Sequence, residues 1–398
     1  MSKNITKKKQ KRILVITPVA THPQNVGNRT RIYSILNEFK KAKHEIHVCF
    51  DNQEENKSHT EKKSDFDAMK KTWDSFRCIQ EEYPKINILK SKKYLLYIIF
   101  LKIDLFASFI RRIIRKHRII YNIFKLSWML IRFGVKKKNI DDKYSCMADS
   151  IIKKIAKNEH YDVVLVQYIY MTKALGHFGD DVIKIVDTHD SFSNSNNKKL
   201  LDTPFTVTKE EEGKAINRAD KIIAIQNQEK KLFESMTNKE VVTIGHIALP
   251  KMINPKEKTS NKILFVGTGG DGNIHGINHF ARKIFPQIKK KLPDIKLTIV
   301  GNVCNFISLK AGNIECLGEV ESLKKYYENC DVAISPIYGG TGLKIKIIEA
   351  LSYKRPVVIS KECSQGMSKE LYDALLVAET DEMFAEQIIK LLTDIDQY

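Results

Sequence analysis

Short apolar runs alternate with polar and amphipathic stretches along most of this chain. The clearest runs fall at 13–17, 163–167, 222–225 and 241–244, and a further strand is predicted at 183–188. Unbroken runs of this length are typical of strands that are buried on both faces of a parallel sheet. Stretches with helical spacing, such as 29–42 and 150–158, lie between them. Strands that alternate with helices predict doubly wound α/β units rather than a sandwich or a helical bundle.

The length of 398 residues suggests two domains, each large enough for its own hydrophobic core. The stretch 250–261 is predicted to be the linker between them. We therefore predict an N-terminal domain over 1–250 and a C-terminal domain over 251–398. Within the first domain, the polar stretch 51–82 is predicted to be a loop or a short helix.

Cysteine usage and the N-terminus indicate the compartment. The seven cysteines are scattered, odd in number and never paired as C-x-x-C, which favours a reducing environment and argues against a structural zinc site. The basic residues 7–12 precede an apolar run that Pro18 interrupts almost at once. We interpret this as a basic tail before a first buried strand, not as a secretory signal, and expect a cytoplasmic protein.

The net charge of +20 is concentrated in one segment. Residues 89–138 contain fourteen Lys or Arg and a single acid, Asp104, among many aromatic and aliphatic residues. The longest uncharged stretch, 94–101, is far shorter than the ~18 residues that span a bilayer. We predict a basic, apolar helical insertion at about 85–145.

Two interpretations of this insertion stay open. In the first interpretation, the helices of the insertion lie on an anionic membrane surface. In the second, they pack on the N-terminal domain and expose a basic face to solvent. Nucleic acid is not the expected partner, because the chain contains no helix-turn-helix, zinc-finger or RNP-like motif and the segment is too aliphatic.

The stretch from Ser335 to Val358 contains the strongest chemical signal. An apolar strand over 332–334 runs into a turn with three glycines, and a helix is predicted from about Leu343. A glycine turn lets the backbone approach a ligand, and the free N–H groups at a helix start attract phosphate. Lys344 in the first helical turn opposes the helix dipole and calls for a nearby anion. Glu349, two turns further on, is placed to accept hydrogen bonds from a sugar diol. Together these features predict a site for a nucleoside diphosphate joined to a hydroxyl-bearing group.

This stretch resembles the nucleotide-sugar motif of retaining glycosyltransferases of the GT-B fold, family 4, also called glycosyl transferases group 1. The family pattern is a proline, a glycine turn, a lysine, Glu-Ala and a Pro-Val-Val strand, here from Pro336 to Val358. Further segments resemble the family in the same chain order, at 13–31, 44–48, 210–225 and 262–301. The resemblance implies an α/β protein of GT-B fold, with two Rossmann-like domains that face each other across a cleft.

The resemblance also implies the donor site. It assigns donor binding to Glu349, Gly340, Thr341, Gly342 and Gly267, and a catalytic contact with the diphosphate to Lys344. Two departures from the family pattern stand out. Thr341 replaces the first acid of a paired-glutamate motif, and the stretch 268–274 lacks the family's usual basic residue. Charge neutralisation of the leaving group is then left to Lys344, to backbone amides of the turn, and to Arg29 or Arg31 across the cleft.

In the N-terminal domain, His189 follows the predicted strand 183–188, at the strand end where ligands bind in open α/β sheets. It resembles the family's cleft histidine, which approaches the donor sugar, and we predict that it is catalytic. The alternative is a structural histidine. Gly27, Arg29, Arg31 and Asp190 are predicted to line the cleft on the acceptor side. The simpler alternatives are an ordinary turn for Gly27 and a capping role for Asp190.

The expected activity is that of a retaining, hexosyltransferase-type enzyme. It would move a sugar from a nucleoside-diphosphate sugar to a hydroxyl of a bacterial surface glycan, such as lipopolysaccharide, capsule or another lipid-linked glycan. The resemblance implies no metal and no cofactor besides the donor substrate. The expected location is the inner face of the cell membrane, in peripheral contact with anionic lipid. A non-catalytic GT-B scaffold and a sugar-nucleotide epimerase remain alternatives, and the sequence does not identify the donor base, the sugar or the acceptor.

Overall fold

A computed structural model describes most of the chain. It covers residues 9–24, 27–52, 59–82, 139–193, 207–248, 250–251, 261–307, 312–338, 345–364 and 367–394. The basic segment 89–138 therefore lies outside the described residues, as does most of the insertion predicted at 85–145. So do four predicted site residues of the glycine turn, namely Gly340, Thr341, Gly342 and Lys344.

The N-terminal half forms a sheet of seven parallel strands. They are β1 (Arg12–Thr17), β2 (Glu45–Phe50), β3 (Ser75–Cys78), β4 (Val163–Gln167), β5 (Ile183–Asp187), β6 (Lys221–Ala224) and β7 (Glu240–Thr243). Their order across the sheet is β3-β2-β1-β4-β5-β6-β7. The central strand β1 pairs on one side with β2, where Ile13 lies opposite Ile46, and on the other with β4, where Ile13 lies opposite Val163.

Helices connect these strands. The described α-helices are α1 (Gly27–Lys41), α2 (His59–Thr72), α3 (Ile79–Glu82), α4 (Cys146–Asn158), α5 (Lys209–Ile216) and α6 (Asn227–Glu234), with 3-10 segments at Ile140–Lys143 and Ile169–His177. Local chemistry fixes their starts. The Ser145 hydroxyl accepts from the Ala148 N–H at the start of α4, and Thr208 and Glu211 form a capping box on α5.

The C-terminal half forms a second parallel sheet, of six strands. They are β8 (Lys262–Val266), β9 (Lys296–Val300), β10 (Ile314–Cys316), β11 (Val332–Ser335), β12 (Val357–Ser360) and β13 (Leu376–Ala378), in the order β10-β9-β8-β11-β12-β13. The described α-helices are α7 (Asp271–His279), α8 (Phe285–Lys291), α9 (Lys324–Asn329), α10 (Ile345–Ser352), α11 (Lys369–Asp373) and α12 (Asp381–Thr393). A π-helical turn (Phe280–Ile284) joins α7 to α8, and 3-10 turns lie at Asn302–Phe306 and Lys361–Ser364.

Both sheets are covered on both faces. In β1, Leu14 and Ile16 belong to the hydrophobic core on one side of the sheet, and Ile13 and Val15 to the core on the other side. Successive side chains of a strand point to opposite faces, so a strand that is covered on both sides must be apolar at nearly every position. This explains the unbroken apolar runs, and confirms the predicted α/β class with two parallel sheets.

The first sheet ends at Thr243 and the second begins at Lys262, so the predicted domain boundary at 250–251 falls between them. The expectation for 51–82 was wrong in part, because this stretch contains the 14-residue helix α2 and the edge strand β3. The helix carries few apolar residues, yet it buries Met69, and Trp73 just beyond its end, against the first sheet. In the part of the chain that the structure describes, no helix is both long and apolar enough to cross a membrane.

Each sheet has one topological switch point. After β1 the chain adds strands on one side, β2 and β3, and then returns to add β4 on the other side. In the second sheet the same reversal separates β8 from β11. Open parallel sheets bind ligands in the crevice at the carboxyl ends of the strands at such points. The topology therefore marks the ends of β1 and β4 in one domain, and of β8 and β11 in the other.

Candidate functional site

The starts of two helices meet between the domains. Helix α1 begins at Gly27 and α10 begins at Ile345. A β-carbon placed on Gly27 would lie 2.9 Å from Cδ1 of Ile345, closer than real β-carbons approach other atoms, and 3.2 Å from its Cβ, which is a tight contact. The absence of a side chain at position 27 is thus what allows this approach. Neither helix has an acidic residue in its first turn, so two positive helix ends converge without a local counter-charge on either helix.

His189 lies directly after β5, at the carboxyl edge of the first sheet. It is buried, with 4% of its surface exposed, and its ring stacks on Tyr168 at a centroid distance of 4.2 Å. Its Nε2 lies 2.6 Å from the Gln167 Oε1 and 3.9 Å from an oxygen of Asp187. An amide oxygen can only accept, so Nε2 carries the hydrogen and the neutral ring leaves Nδ1 without one.

The electrostatic surroundings keep His189 uncharged. Burial lowers the pKa of His189 to about 4; the nearby Asp187 carboxylate opposes that shift, and the Arg31 guanidinium adds to it. The imidazole is therefore neutral throughout the physiological range. It can offer a dipole and a hydrogen bond to a sugar, but it does not supply a positive charge.

Two residues at this edge have unusual backbone angles. Tyr168, just after β4, has φ of 69°, and His189 has φ of 63°. Both lie in the left-handed region, which residues with side chains rarely occupy and which persists where the surrounding structure enforces it. The Tyr168 hydroxyl accepts a hydrogen bond of 3.2 Å from Asn28, in the first turn of α1. The strained pair thus lies beside the helix start at the domain contact.

A buried acid holds the loop that follows His189. Glu212 of α5 is fully buried and accepts hydrogen bonds from the backbone N–H groups of Phe192 at 2.8 Å and Ser193 at 3.1 Å, and from the Ser191 hydroxyl at 3.0 Å. The Ser193 hydroxyl donates to it as well. No role for Glu212 was predicted from the sequence, because nothing in its acidic neighbourhood distinguishes it from a solvent-exposed helix residue.

Asp190, predicted to line the cleft, is half-buried in the same loop, and its N–H donates to Thr188 O at 2.8 Å. A second buried acid, Glu229 of α6, lies nearby, with 3% of its surface exposed. Burial raises the pKa of Glu229 to about 8, and the negative charge of Asp190 adds to the shift. Near neutral pH this acid is therefore mostly protonated.

Arg29 and Arg31, predicted to face the cleft, are both buried inside the N-terminal domain. Arg31 is fully buried, forms an ion pair with Asp187 and donates to Ile244 O at 2.8 Å. Arg29 is 5% exposed, donates to His22 O at 3.1 Å and lies 3.9 Å from an oxygen of Asp65. The expectation that they neutralise a ligand's charge across the cleft therefore does not fit their positions. Both side chains point from helix α1 into the N-terminal domain, where Arg31 contacts the sheet and Arg29 contacts α2.

In the second domain, glycines form the rim at the ends of β8 and β9. A β-carbon on Gly267 would lie 2.6 Å from the Phe265 ring, and one on Gly301, whose φ is 109°, would lie 2.1 Å from Gly267 O. The Gly267 N–H donates to Val300 O at 2.9 Å. Gly267 therefore lies where it was predicted, at the carboxyl end of the first strand of the donor domain, in a turn without room for a side chain.

Lys346, in the first turn of α10, reaches across to this rim. Its Nζ lies 2.5 Å from the Asn273 Oδ1 and 4.7 Å from the centroid of the Phe265 ring. The sequence motif predicts a role for Lys344 and gives none to Lys346. The stretch 268–274 contains no lysine or arginine, and Lys346 brings a positive charge from α10 to the first turn of α7.

Glu349 is partly exposed and lies on α10, as predicted. Burial raises its pKa to about 7; the positive charge of Lys251 and a hydrogen bond from the Tyr327 hydroxyl oppose that shift. The Tyr327 ring in turn stacks on Tyr353 at 4.9 Å. The carboxyl group is thus held by an aromatic pair and by the linker, and it changes charge near neutral pH.

The structure thus brings Gly27 of one domain to α10, the helix that carries Glu349, in the other, and it places His189 and Gly267 at strand ends. It separates Arg29 and Arg31 from the cleft. Among the described residues, no group of three or more His, Cys, Asp or Glu side chains is arranged to hold a metal ion.

Comparison with known proteins agrees with this geometry. Residues 260–394 match the family described as glycosyl transferases group 1. An uncharacterised 44.6 kDa protein in the cps region of Klebsiella pneumoniae is 32% identical over 145 residues. That match covers 33% of this chain and 37% of the Klebsiella protein, so it spans little more than a third of the relative's length.

Solved structures match over nearly the whole chain. A point mutant of S. aureus TarM, in complex with Fondaparinux, alpha-GlcNAc-glycerol and UDP, has a TM-score of 0.63 at 13% identity, and the match covers 97% of this chain and 93% of that one. The lipopolysaccharide outer core galactosyltransferase WaaB has a TM-score of 0.50 at 13% identity, and the match covers 96% of this chain and 90% of that one. At such identities the likeness shows the fold, and it confirms the predicted GT-B architecture.

Proposed function

We propose that this chain, whose C-terminal domain belongs to the glycosyl transferases group 1 family, transfers a sugar from a nucleoside-diphosphate sugar to a hydroxyl group of a glycan. The observation that carries this proposal is the meeting of α1 and α10 at Gly27 and Ile345, at the carboxyl edges of two parallel sheets. Two converging helix starts favour a doubly charged group such as a diphosphate. Glu349, on one of those helices, suits the ribose of the same ligand.

The donor-binding residues divide between the described and undescribed parts of the chain. Glu349 is on α10 and Gly267 is at the end of β8, and these positions support a role for both residues in donor binding. Gly340, Thr341, Gly342 and Lys344 stay predictions from the sequence motif. UDP bound in the TarM complex supports a nucleotide donor for this fold.

The chemistry follows from charge stabilisation. As the bond between sugar and diphosphate breaks, negative charge grows on the leaving phosphate, and preorganised N–H groups and lysines stabilise that charge. In this proposal His189, whose low pKa keeps it neutral, approaches the donor sugar, where it would orient a hydroxyl rather than neutralise the phosphate. Retention at the anomeric carbon, a hexosyl group and independence of metal ions are parts of the proposal that rest on the family resemblance.

The proposed acceptor is a bacterial surface glycan on a lipid carrier. The Klebsiella relative is described as lying in a cps region, and WaaB is described as a lipopolysaccharide outer core enzyme. The basic segment 89–138 supports peripheral contact with anionic lipid at the inner face of the membrane. Flotation with liposomes tests that contact: binding should need acidic lipid and weaken with salt, and equal binding to neutral vesicles would oppose it.

The activity itself is tested with a panel of nucleotide sugars. UDP-glucose, UDP-galactose, UDP-N-acetylglucosamine and GDP-mannose are screened for protection against thermal unfolding, since a ligand that binds only the folded state raises its stability. Hits are then incubated with lipid-linked glycan, with and without EDTA, and the product's anomeric configuration is read by NMR. Binding without transfer would favour a non-catalytic scaffold, and conversion of the donor without acceptor would favour an epimerase. If no nucleotide sugar binds, the proposal fails.

A further inference from the structure

The switch point of the second sheet carries a lysine whose position is fixed by side chains from two other elements. Lys346 follows Ile345, the residue that touches Gly27, and its Nζ reaches Asn273 at 2.5 Å. The same Nζ lies 4.7 Å above the ring of Phe265, near the end of β8. These contacts draw the ammonium group away from bulk solvent and towards the crevice where β8 and β11 part.

The two contacts are of a kind that retains positive charge. An amide oxygen and an aromatic face each stabilise an ammonium ion without cancelling its charge. A lysine in the first turn of a helix also lies at the wrong end of the helix dipole. An anion bound at this place would offset the unfavourable interaction of the lysine with the helix dipole, so the position suits an anion site.

The turns beside Lys346 present backbone rather than side chains. The turns after β8 and β9 are formed by Gly267 and Gly301, where added β-carbons would collide with neighbouring atoms, so the rim is bare backbone. The stretch 268–274, which contains the turn before α7 and the first residues of α7, has no lysine or arginine of its own. Lys346 supplies a positive charge there, and its ammonium group donates to Asn273 in the first turn of α7.

We propose that Lys346 binds the diphosphate of the nucleotide-sugar donor at the end of β8, with Asn273 and Phe265 as the residues that position it. This inference rests on the proposed function and deepens it, because it names the residue that replaces the missing loop cation. Diphosphate binding should then require a positive charge at this place, and a different residue should be able to carry that charge.

The test is a charge relocation. Binding of UDP, GDP, ADP and CDP, and of the four corresponding nucleosides, is measured by calorimetry for the parent, Lys346→Met, and Lys346→Met with Asn273→Lys. Lys346→Met should weaken diphosphate binding by about tenfold or more and leave nucleoside binding unchanged. The added Asn273→Lys should recover most of the loss. Lys290→Met, which removes an exposed lysine of α8, is the matched control and should change nothing.

A second variant covers the case in which Lys346→Met does not fold. Asn273→Asp places a carboxylate against Lys346 and should weaken diphosphate binding while leaving nucleoside binding intact. If the parent binds a diphosphate and neither Lys346→Met nor Asn273→Asp weakens it, this inference is overturned and the proposed function stands. If the parent binds none of the four diphosphates, both fail.

Discussion

With Glu349 as the proposed acceptor for the ribose of the donor, donor binding should depend on pH near neutrality. Burial raises the pKa of Glu349 to about 7, against the opposing effects of Lys251 and the Tyr327 hydroxyl. The ionised carboxylate is the stronger acceptor for a ribose diol, because hydrogen bonds to a charged group are stronger than neutral ones. Donor affinity should therefore rise as pH increases through about 7, in the direction that ionises the acid.

The size of the effect follows from the ionised fraction. With a pKa of about 7, roughly a tenth of the carboxyl groups are ionised one unit below that value and roughly nine tenths one unit above it. If only the ionised form binds ribose well, affinity should change up to roughly tenfold across those two units, or about 1.4 kcal/mol. His189 does not contribute, because burial lowers its pKa to about 4, well below this window.

The assay is calorimetric titration of an intact nucleotide sugar at several pH values. Its esterified diphosphate lacks the terminal phosphate ionisation near pH 6, so the ligand's own charge stays constant. Glu349→Gln should bind more weakly than the parent at high pH and show a flat pH profile, and a 2′-deoxy donor should flatten the parent's profile as well. Glu349→Ala should lower the affinity for the nucleotide sugar by about tenfold or more at pH 8. A parent profile that is flat, or one that persists in Glu349→Gln, would refute the reasoning.

Three further predictions concern the N-terminal domain. Gly27→Ala should lower turnover because its β-carbon meets Ile345, and adding Ile345→Ala should restore it; failure of that rescue would mean the contact is unimportant. His189→Ala should lower turnover with little change in nucleotide affinity, whereas a large fall in melting temperature with normal activity per folded molecule would make the histidine structural. Glu229→Gln should stabilise the fold. Because burial raises the pKa of Glu229 from 4.5 to about 8, the parent loses stability as pH rises through that window, by at most about 1.4 kcal/mol per unit. The gain of the glutamine variant in melting temperature should therefore grow from pH 5 to 8, and a constant gain would contradict this.

Local patterns were sufficient for most of the fold. The apolar run 13–17 became β1, and 163–167 became β4, because strands that are covered on both faces have no other way to be buried. The full length of helix α2 was not predicted, because the helix is buried through one face that carries few apolar residues, among them Met69. A helix of this kind is stabilised by tertiary packing, which periodicity alone does not reveal.

The positions of site residues could be predicted only where a single local motif determines them. Glu349 and Gly27 lie where the sequence placed them, since each depends on a helix start that the pattern identifies. Arg31 was misplaced because its partner, Asp187, is 156 residues away, and that pairing is a product of the sheet order. Lys346 was overlooked for the same reason, since Asn273 lies on a different helix.

The unpaired polar groups of the fold favour a functional interpretation of the edge around His189. Seven of the eleven buried side-chain atoms without a hydrogen-bond partner in the described part of the chain belong to residues at the carboxyl ends of β4 to β7 or packed against them. They belong to Arg31, Gln167, Asp187, Gln226, Glu229 and His246. Each such atom costs stability, and a core shaped for stability alone would spread or remove them. Their concentration beside two residues with left-handed backbone angles, Tyr168 and His189, supports the proposal that this edge contacts a ligand. The acceptor-side chemistry is therefore to be sought along β4 and β5, opposite the helix that carries Lys346 and Glu349.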